Sequence, residues 1–308
     1  MSETTTLVVG GSGLAGGYTA LYLAARGNRV SIMSRNAPTQ IPGLCDLPHI
    51  QCDYVEDAIQ GRITERVSGF NSLVFCAGND IKQFPVDGSV SPEAFFDRCN
   101  TQAIPKFFEQ AKSAGVVRAA YLGTFYPQVA AQQIERDPYV KSRHAADEAV
   151  RELSGPSFKV CSINPPFLLG HVPGLAVPYL HRLARYARGE LPELPVFAPK
   201  GGSNHMTLLS TAEALEGGLS RGESGKAYLV GDANLSWKDY LQAWFHRAGN
   251  AQVLEVKDDD HPIFPHSIMY AGEGATVSYE PPGEETALLG YGRGRVLDEI
   301  TEALRVYR

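Results

Sequence analysis

The sequence contains no apolar run near the roughly 20 residues that a membrane-spanning helix requires,. Positive charge is also in short supply, because 28 Lys and Arg residues face 34 Asp and Glu residues, for a formal net charge of −6. This balance argues against a general nucleic-acid-binding protein, which normally presents a basic surface. It still leaves room for a local basic pocket that binds one phosphate group.

Cysteine is scarce and scattered, with five residues, an odd number, and no close metal-ligand pair. The cysteines are Cys45, Cys52, Cys76, Cys99 and Cys161. This pattern predicts reduced, mostly buried thiols rather than disulfides or a zinc site. Residues 1–6 are polar and lack a basic stretch followed by an apolar one, so we expect no signal peptide and a cytoplasmic location.

The first half of the chain alternates short apolar strands with helical patterns. Strands are predicted at residues 5–9, 29–34, 50–52, 72–76, 116–122 and 158–163, and helices at residues 14–25, 92–114 and 138–153. The first helix is predicted to bury a face with Leu14, Tyr18, Leu21, Tyr22 and Ala25, and the second one with Ala103, Phe107, Phe108 and Ala111. Such alternation predicts an α/β fold, a Rossmann-type doubly wound parallel sheet covered on both faces.

The pattern changes after residue 165, where prolines recur. Helices are predicted at residues 175–188, 237–248 and 297–306, and one strand at residues 226–231. We therefore expect a dinucleotide-binding domain at residues 1–165, completed by about residues 201–232, and a smaller mixed substrate-binding region at residues 166–308.

A glycine-rich loop, Gly10-Gly11-Ser12-Gly13-Leu14-Ala15-Gly16, follows the first strand and opens the first helix. It satisfies both the GxGxxG and the GxxGxxG spacing. Glycines in this context allow a tight turn and let backbone N–H groups approach a pyrophosphate at the helix N-terminus. The alternative, a tight turn without a ligand, is disfavoured because strand, loop, helix and second strand all follow in the required order.

The second strand ends at Ser34-Arg35. A site that prefers NAD usually has a carboxylate here to accept from the ribose 2′-hydroxyl, and that carboxylate would repel a 2′-phosphate. A guanidinium and a hydroxyl instead suit a phosphate. The sequence therefore predicts NADP(H), although an arginine solvated at the strand end is the alternative.

From Leu7 to about Trp237 the chain resembles the short-chain dehydrogenase/reductase superfamily, in its extended or atypical branch, which includes NAD-dependent epimerases and dehydratases. The likeness lies in the GxxGxxG loop, in Asp53 after the third strand, in the segment that starts at Asn100, and in Asn164-Pro165-Pro166-Phe167 after the sixth strand. In the family these segments contact the adenine, the nicotinamide and the substrate.

The resemblance also implies a catalytic set. The family uses a Ser or Thr together with a YxxxK motif on one helix, and here Tyr139-Val140-Lys141-Ser142-Arg143 stands in that place, with arginine instead of lysine. Tyr139 would move the proton, Thr124 would hold the substrate oxygen, and Arg143 would position the ribose and stabilise a phenolate. Arg143 cannot relay a proton because its pKa is above about 12. Lys141 points elsewhere on a helix.

The resemblance assigns the following contacts. Cofactor contacts are expected from Gly10, Ser12, Gly13, Leu14, Gly16, Ser34, Arg35, Asp53, Ala77, Gly78, Asn100, Tyr139, Arg143, Pro166 and Phe167, and substrate contacts from Thr124, Tyr126 and His205, the last in a predicted loop. No metal is expected, because Asp258-Asp259-Asp260-His261 fits a solvated loop better than a metal site. The helix that carries His181, Arg182, Arg185 and Arg188 either binds an anion or faces water, and water is favoured.

Three functions are consistent with this pattern. The first is an NADP(H)-dependent oxidoreductase that interconverts a carbonyl and a secondary alcohol in a small organic substrate. The alternatives are a nucleotide-sugar epimerase or dehydratase, against which Arg35 counts, and a catalytically weak NADP-binding sensor, which Arg143 motivates. A small-molecule substrate is expected, with neither nucleic acid nor membrane as a partner, and a homodimer is compatible with the family.

Overall fold

The computed structural model describes residues 5–85 and 87–308. The expected absence of a signal peptide concerns residues 1–6, of which 1–4 lie outside the described residues. The amino-terminal half contains β1 (Thr5–Val9), α1 (Leu14–Ala25), β2 (Arg29–Ser34), β3 (His49–Gln51), α2 (Tyr54–Ile59), α3 (Ile63–Arg66), β4 (Ser72–Phe75), α4 (Pro92–Phe96), α5 (Ala103–Ser113), β5 (Arg118–Leu122), α6 (Tyr126–Val129), α7 (Pro138–Glu152) and β6 (Lys159–Asn164). The predicted strands and helices of this half are present, with ends shifted by a few residues.

The second half is more mixed. It contains β7 (Phe167–Leu169), α8 (Pro178–Ala187), β8 (Ala198–Pro199), β9 (Gly202–Thr207), α9 (Leu208–Arg221), β10 (Ala227–Leu229), β11 (Ala233–Ser236), α10 (Trp237–Arg247), β12 (Val256–Lys257), α11 (Gly283–Leu289) and α12 (Val296–Val306). The sequence pattern missed α9, α11 and five short strands, β7, β8, β9, β11 and β12, in this half.

Seven strands form one parallel sheet in the order β10-β6-β5-β4-β1-β2-β3. The predicted α/β fold with a Rossmann-type doubly wound sheet is confirmed. Strand β10 joins the sheet by pairing with β6, so residues beyond 165 contribute one strand to this sheet. A three-stranded mixed sheet, β11-β9-β7, and the pair β12-β8 lie in the second half.

Alternate residues of each central strand point to opposite faces of the sheet, as the pleat requires. Leu7 and Leu73 pack with the α2, α5 and α7 side, whereas Val8 and Val74 pack with the α1 and α9 side. The apolar face predicted for α5 is confirmed, because Ala103, Phe107, Phe108 and Ala111 are all buried. A third cluster, built around Trp244 and Phe245, gathers apolar residues from α8, α10 and α12.

The single long helix predicted for residues 92–114 is interrupted. A π-helical segment, Asp97–Gln102, separates α4 from α5, and it buries Cys99 and Asn100. All five cysteines are free, with three buried, Cys76 half-buried and Cys45 exposed. Within residues 5–85 and 87–308, no helix has both the length and the apolar character needed to cross a membrane.

Candidate active site

Two adjoining cavities lie at the carboxyl ends of the sheet strands, on the two sides of the loop after β1. The first, about 570 Å³, is lined by the glycine loop, the end of β2, the start of α2 and residues 76–79. The second, about 670 Å³, is lined by the start of α1, the end of β5, α7, residues 165–168 and a carboxy-terminal segment. Both include Cys76, Gly78 and Asn79, so they form one extended groove beside the β1–β4 boundary, where the strand order reverses.

The glycine loop fits a pyrophosphate. Gly10 has a φ of +78°, in the left-handed region that favours glycine,. A Cβ on Gly16 would overlap the carbonyl of Gly10, so only glycine allows α1 to begin this close to β1. Among the residues that the structure describes, no side chain caps the first turn of α1 at Gly13. Its backbone N–H groups therefore remain available to an anion in the groove.

The far end of the first cavity contains the residues predicted for the 2′-phosphate and the adenine. Arg35 is exposed and lines this cavity. The Ser34 hydroxyl donates to the carbonyl of Asn36 at 2.8 Å and lies 3.0 Å from Nε2 of His49, so other groups already engage it. Asp53 caps α2, where its carboxylate accepts from the Val55 N–H at 3.0 Å. Ser34 and Asp53 are thus engaged by neighbouring protein groups, whereas Arg35 is exposed and can bind a phosphate.

The sequence did not single out Arg98, which lines the same cavity. It pairs with Glu56 at 2.6 Å, and both side chains are about half exposed. It comes from the π-helical segment, which a helical period does not predict. Arg98 therefore adds a second guanidinium to the lining of this cavity.

Thr124 and Tyr139 meet in the second cavity. Both line this cavity, and the Thr124 hydroxyl acts to lower the pKa of Tyr139. Asp137 fixes the start of α7 by accepting from the Val140 N–H at 2.9 Å. The Tyr139 ring lies between Phe96, at 5.5 Å between centroids, and Tyr270, at 4.4 Å. Burial raises the pKa of Tyr139, and the nearby Arg143 guanidinium acts in the opposite direction,.

Arg143 lies beneath this pair, with 6% of its surface exposed. Its Nη2 donates to the carbonyl of Leu122 at 2.7 Å, and its guanidinium carbon lies 5.4 Å from the centroid of the Tyr121 ring. A side chain at Gly78 would overlap the guanidinium. Burial opposes the charge, yet the surrounding phenol oxygens and Asp147 outweigh it, so the pKa of Arg143 is raised and the group stays a cation. Lys141 is exposed, as its helical position predicted.

Asn100 is fully buried behind the groove and lines neither of the two cavities. Its Oδ1 accepts from the Asn79 N–H at 3.2 Å, and its Nδ2 donates to the carbonyl of Asn79 and to Oγ of Ser142, both at 3.1 Å. This placement does not support the predicted direct cofactor contact. Asn100 instead ties the segment after β4 to α7, and so positions the walls of the groove.

His205 does not lie in a loop, and that prediction is wrong. It belongs to β9, has 1% of its surface exposed and lines neither of the two cavities. Its ring stacks on Tyr240 at 4.2 Å, and its Nδ1 lies 3.0 Å from the carbonyl of Ser203. This burial does not support the predicted substrate contact.

The remaining predicted residues lie along the groove. Gly10, Ser12, Gly13 and Ala77 line the first cavity, Leu14, Tyr126, Pro166 and Phe167 line the second, and Gly78 lines both. The sequence analysis did not single out Lys82, Tyr179, Phe264 and Tyr270, which line the second cavity, and it favoured water over an anion for Arg182, which lines the same cavity. In the segment with Phe264 and Tyr270, the sequence shows only prolines around residues 262–265, and these do not indicate that the segment packs against α7.

Among the described residues, no group of three or more His, Cys, Asp or Glu side chains is arranged to hold a metal ion.

Comparison with known proteins adds independent observations. A sequence model of the NAD dependent epimerase/dehydratase family matches residues 6–208. No curated protein gives a significant match. Three similar solved structures are a UDP-glucose 4-epimerase from Bifidobacterium longum in complex with NAD+ and UDP, a UDP-glucose-4-epimerase from Stenotrophomonas maltophila with bound NAD and formylated UDP-arabinopyranose, and a UDP-N-acetylglucosamine 4-epimerase from Bacillus cereus.

The structural similarity spans nearly the whole of each chain. The Bifidobacterium enzyme has a TM-score of 0.73 at 17% identity, with 98% of this chain and 97% of that chain covered. The Stenotrophomonas enzyme has a TM-score of 0.74 at 16% identity, with 99% and 98% covered. The Bacillus enzyme has a TM-score of 0.72 at 14% identity, with 98% and 96% covered. At these identities the similarity establishes the fold alone.

Proposed function

The chain belongs to the NAD dependent epimerase/dehydratase family, and we propose that it carries out reversible hydride transfer at a secondary-alcohol carbon of a small substrate. The observation that carries this proposal is that Thr124 and Tyr139 line one cavity together with a buried Arg143, next to a groove that fits a dinucleotide. A bound nicotinamide dinucleotide would supply the hydride acceptor and donor.

The residues of this chain supply the proton chemistry. Thr124 holds the substrate oxygen, and Tyr139 takes the hydroxyl proton during oxidation and returns it during reduction. The phenolate form of Tyr139 is needed for oxidation, and the cation of Arg143 stabilises it,. Arg143 acts through its charge, because it keeps its own protons.

Two reaction classes share this half-reaction. The family match favours a net epimerisation or dehydration of a nucleotide sugar over the net carbonyl reduction that the sequence placed first. The similar solved structures in complex with UDP or with formylated UDP-arabinopyranose support the same class. Net reduction remains the second candidate, because Arg35 suits the 2′-phosphate of NADP(H), the usual reductant. We further propose that residues 1–165, completed by about 201–232, bind the cofactor, and that residues 166–308 form most of the substrate walls.

Replacing Tyr139 tests the proposal. With UDP-sugars and a panel of ketones and aldehydes as substrates, Tyr139→Phe is expected to lower kcat by about a hundredfold or more, the range of general acid–base catalysis. NADPH binding, measured by fluorescence titration, should remain unchanged. Tyr307→Phe is the matched control, because Tyr307 lines neither cavity and its hydroxyl has no hydrogen-bond partner among residues 5–85 and 87–308. Undiminished turnover in Tyr139→Phe would remove this mechanism.

The cofactor preference is a separate proposal. We propose NADP(H), because Arg35 lines the first cavity and is the group best placed for a 2′-phosphate. Arg35→Ala should weaken NADPH binding by roughly tenfold or more, as expected for loss of a charge-assisted hydrogen bond, and leave NADH binding unchanged. Arg136→Ala, at an exposed arginine outside the groove, should change neither. A wild-type preference for NADH would contradict the role of Arg35.

A further inference from the structure

The walls of the second cavity are mainly apolar and aromatic beyond the Thr124–Tyr139 pair. The apolar lining comes from Phe167 after β6, from Pro178 and Tyr179 on α8, and from Pro262, Ile263, Phe264, Pro265, Ile268 and Tyr270 in the carboxy-terminal segment. Such walls gain free energy by covering apolar ligand surface, while a few placed polar groups fix its orientation.

Two cations, Lys82 and Arg182, lie on the α8 side of this cavity. The Nζ of Lys82 lies 5.1 Å from the centroid of the Tyr179 ring. Tyr179 and Arg182 are three residues apart on α8, so they occupy the same face of that helix. The ammonium and the guanidinium therefore lie on one side of a cavity whose remaining walls are mainly apolar.

The charge of this pair is only weakly balanced. Lys82 has a loose contact with Asp80 at 3.8 Å, with 64% and 35% of the two side chains exposed. Among the ion pairs formed within residues 5–85 and 87–308, none includes Arg182. The other arginines of α8 are engaged elsewhere, since Arg185 pairs with Glu190 and Arg188 donates to the carbonyls of Leu304 and Tyr307. Arg182 thus differs from its neighbours on the helix.

We infer that Lys82 and Arg182 bind a phosphate-type anionic group on a substrate whose middle part is apolar. Two cations match a dianionic phosphate better than a single carboxylate, and a guanidinium can donate two parallel hydrogen bonds to it. The substrate would then combine an alcohol or carbonyl at Tyr139, an apolar body against Phe167 and Phe264, and the anion at α8. This inference rests on the hydride transfer proposed at Tyr139, since it describes the substrate of the same site. It deepens the second candidate, net reduction, because an apolar body between the reacting carbon and the anion does not match the sugar of a nucleotide sugar.

The test uses the full chain with saturating NADP(H) and measures binding of 1-naphthyl phosphate by calorimetry, with 1-naphthol as the neutral counterpart. We expect the phosphate to bind more tightly than the alcohol, and Arg182→Gln and Lys82→Gln each to weaken the phosphate about tenfold without changing 1-naphthol. Arg185→Gln removes the same charge from the same helix outside the cavity, and should leave both affinities unchanged.

Several outcomes would overturn the inference. These are no binding of 1-naphthyl phosphate, equal binding of phosphate and alcohol, or an equal loss in Arg185→Gln. UDP binding more tightly than 1-naphthyl phosphate would overturn the apolar body and assign the cations to a nucleotide diphosphate. NADPH titration of each variant separates these cases from a cofactor effect. Because the readout is binding rather than turnover, inactivity of the wild type would count against the proposed function alone.

Discussion

Arg143 and Gly78 form a matched pair at the floor of the second cavity. The family pattern has a lysine where this chain has Arg143, and a guanidinium is wider than an ammonium. The space for it comes from Gly78, where a side chain would overlap the guanidinium. Their contact could not be predicted from the sequence, because Arg143 on α7 and Gly78 after β4 lie 65 positions apart. Gly78 thus provides the space for an arginine at the position where the family motif has a lysine.

This pairing gives a prediction for Gly78→Ala. The added methyl group should displace the guanidinium from Tyr139, whose pKa it lowers, so the pKa of Tyr139 should rise further. Alcohol oxidation needs the phenolate, so the rising limb of its pH–rate profile should move to higher pH, with kcat reduced about tenfold at neutral pH. The measurement is kcat against pH for Gly78→Ala and the wild type.

The double variant Gly78→Ala with Arg143→Lys serves as the internal check. A lysine does not fill the volume of the guanidinium, so it should restore part of the activity lost in Gly78→Ala. Gly155→Ala makes the same change where no atom of residues 5–85 or 87–308 lies within 4 Å of the added carbon, and should be neutral. An unshifted pH limb in Gly78→Ala would show that the two residues act independently.

At the scale of elements, the limits of α1 were predicted from the sequence but its buried face was not. The sequence pattern selected Leu14, Tyr18, Leu21, Tyr22 and Ala25. The residues buried in the structure are Gly16, Gly17, Thr19, Ala20 and Leu23. Small residues allow the helix to approach the sheet closely, and the larger ones pack at its flanks, where the hydroxyl of Tyr22 donates to Glu216 of α9 at 3.1 Å. A hydrophobic periodicity gives weight to large apolar side chains, so it does not predict a helix face that packs against the sheet through small residues.

The close approach at α1 is tested by Gly16→Ala. A Cβ there would overlap the Gly10 carbonyl, so the glycine loop and α1 must separate. We expect NADPH affinity to fall by more than tenfold and the Tm to drop by several degrees, as for other overpacked sites. Gly283→Ala, at an open position in the first turn of α11, should leave both unchanged or raise the Tm slightly,. Wild-type affinity in Gly16→Ala would contradict the role given to this glycine.

Two elements that the sequence did not reveal owe their conformation to tertiary partners. Strand β9 is fully buried yet polar, and Asn204 is satisfied by donating to Oδ1 of Asn234 on β11 at 2.8 Å. Helix α9 contains Gly217 and Gly218, which weaken helix propensity, and Gly217 lies against the backbone of Leu289,. Local pattern cannot register a partner that lies tens of residues away, which explains why β9 was interpreted as a loop.

At the scale of the whole molecule, the parallel sheet was the most predictable part, since each strand is an apolar run bounded by turn residues. The second half was less predictable, because its core depends on aromatic contacts between distant segments. His205 and His261 belong to that core, with 1% and 0% of their surfaces exposed. Burial lowers the pKa of each to about 4, so both are neutral at pH 7. The Nδ1 of His261 accepts from the N–H groups of Ile263 and Phe264, which shapes the segment that lines the second cavity.

These histidines make the folded chain sensitive to acid. Between about pH 6.5 and 4 an unfolded histidine binds a proton that the folded one does not,. The free energy of unfolding should therefore decrease as pH falls through this range, by up to about 1.4 kcal/mol per pH unit for each histidine. In His205→Phe, which keeps an aromatic ring against Tyr240 at this position, that contribution should vanish. Urea unfolding at pH 7, 6 and 5 measures the slope, which should be shallower in the variant.

Trp244→Phe alters the same cluster without a titrating group, so it should lower stability by a similar amount at each pH. A slope in His205→Phe equal to that of the wild type would mean that His205 takes up its proton equally in the folded and unfolded chain.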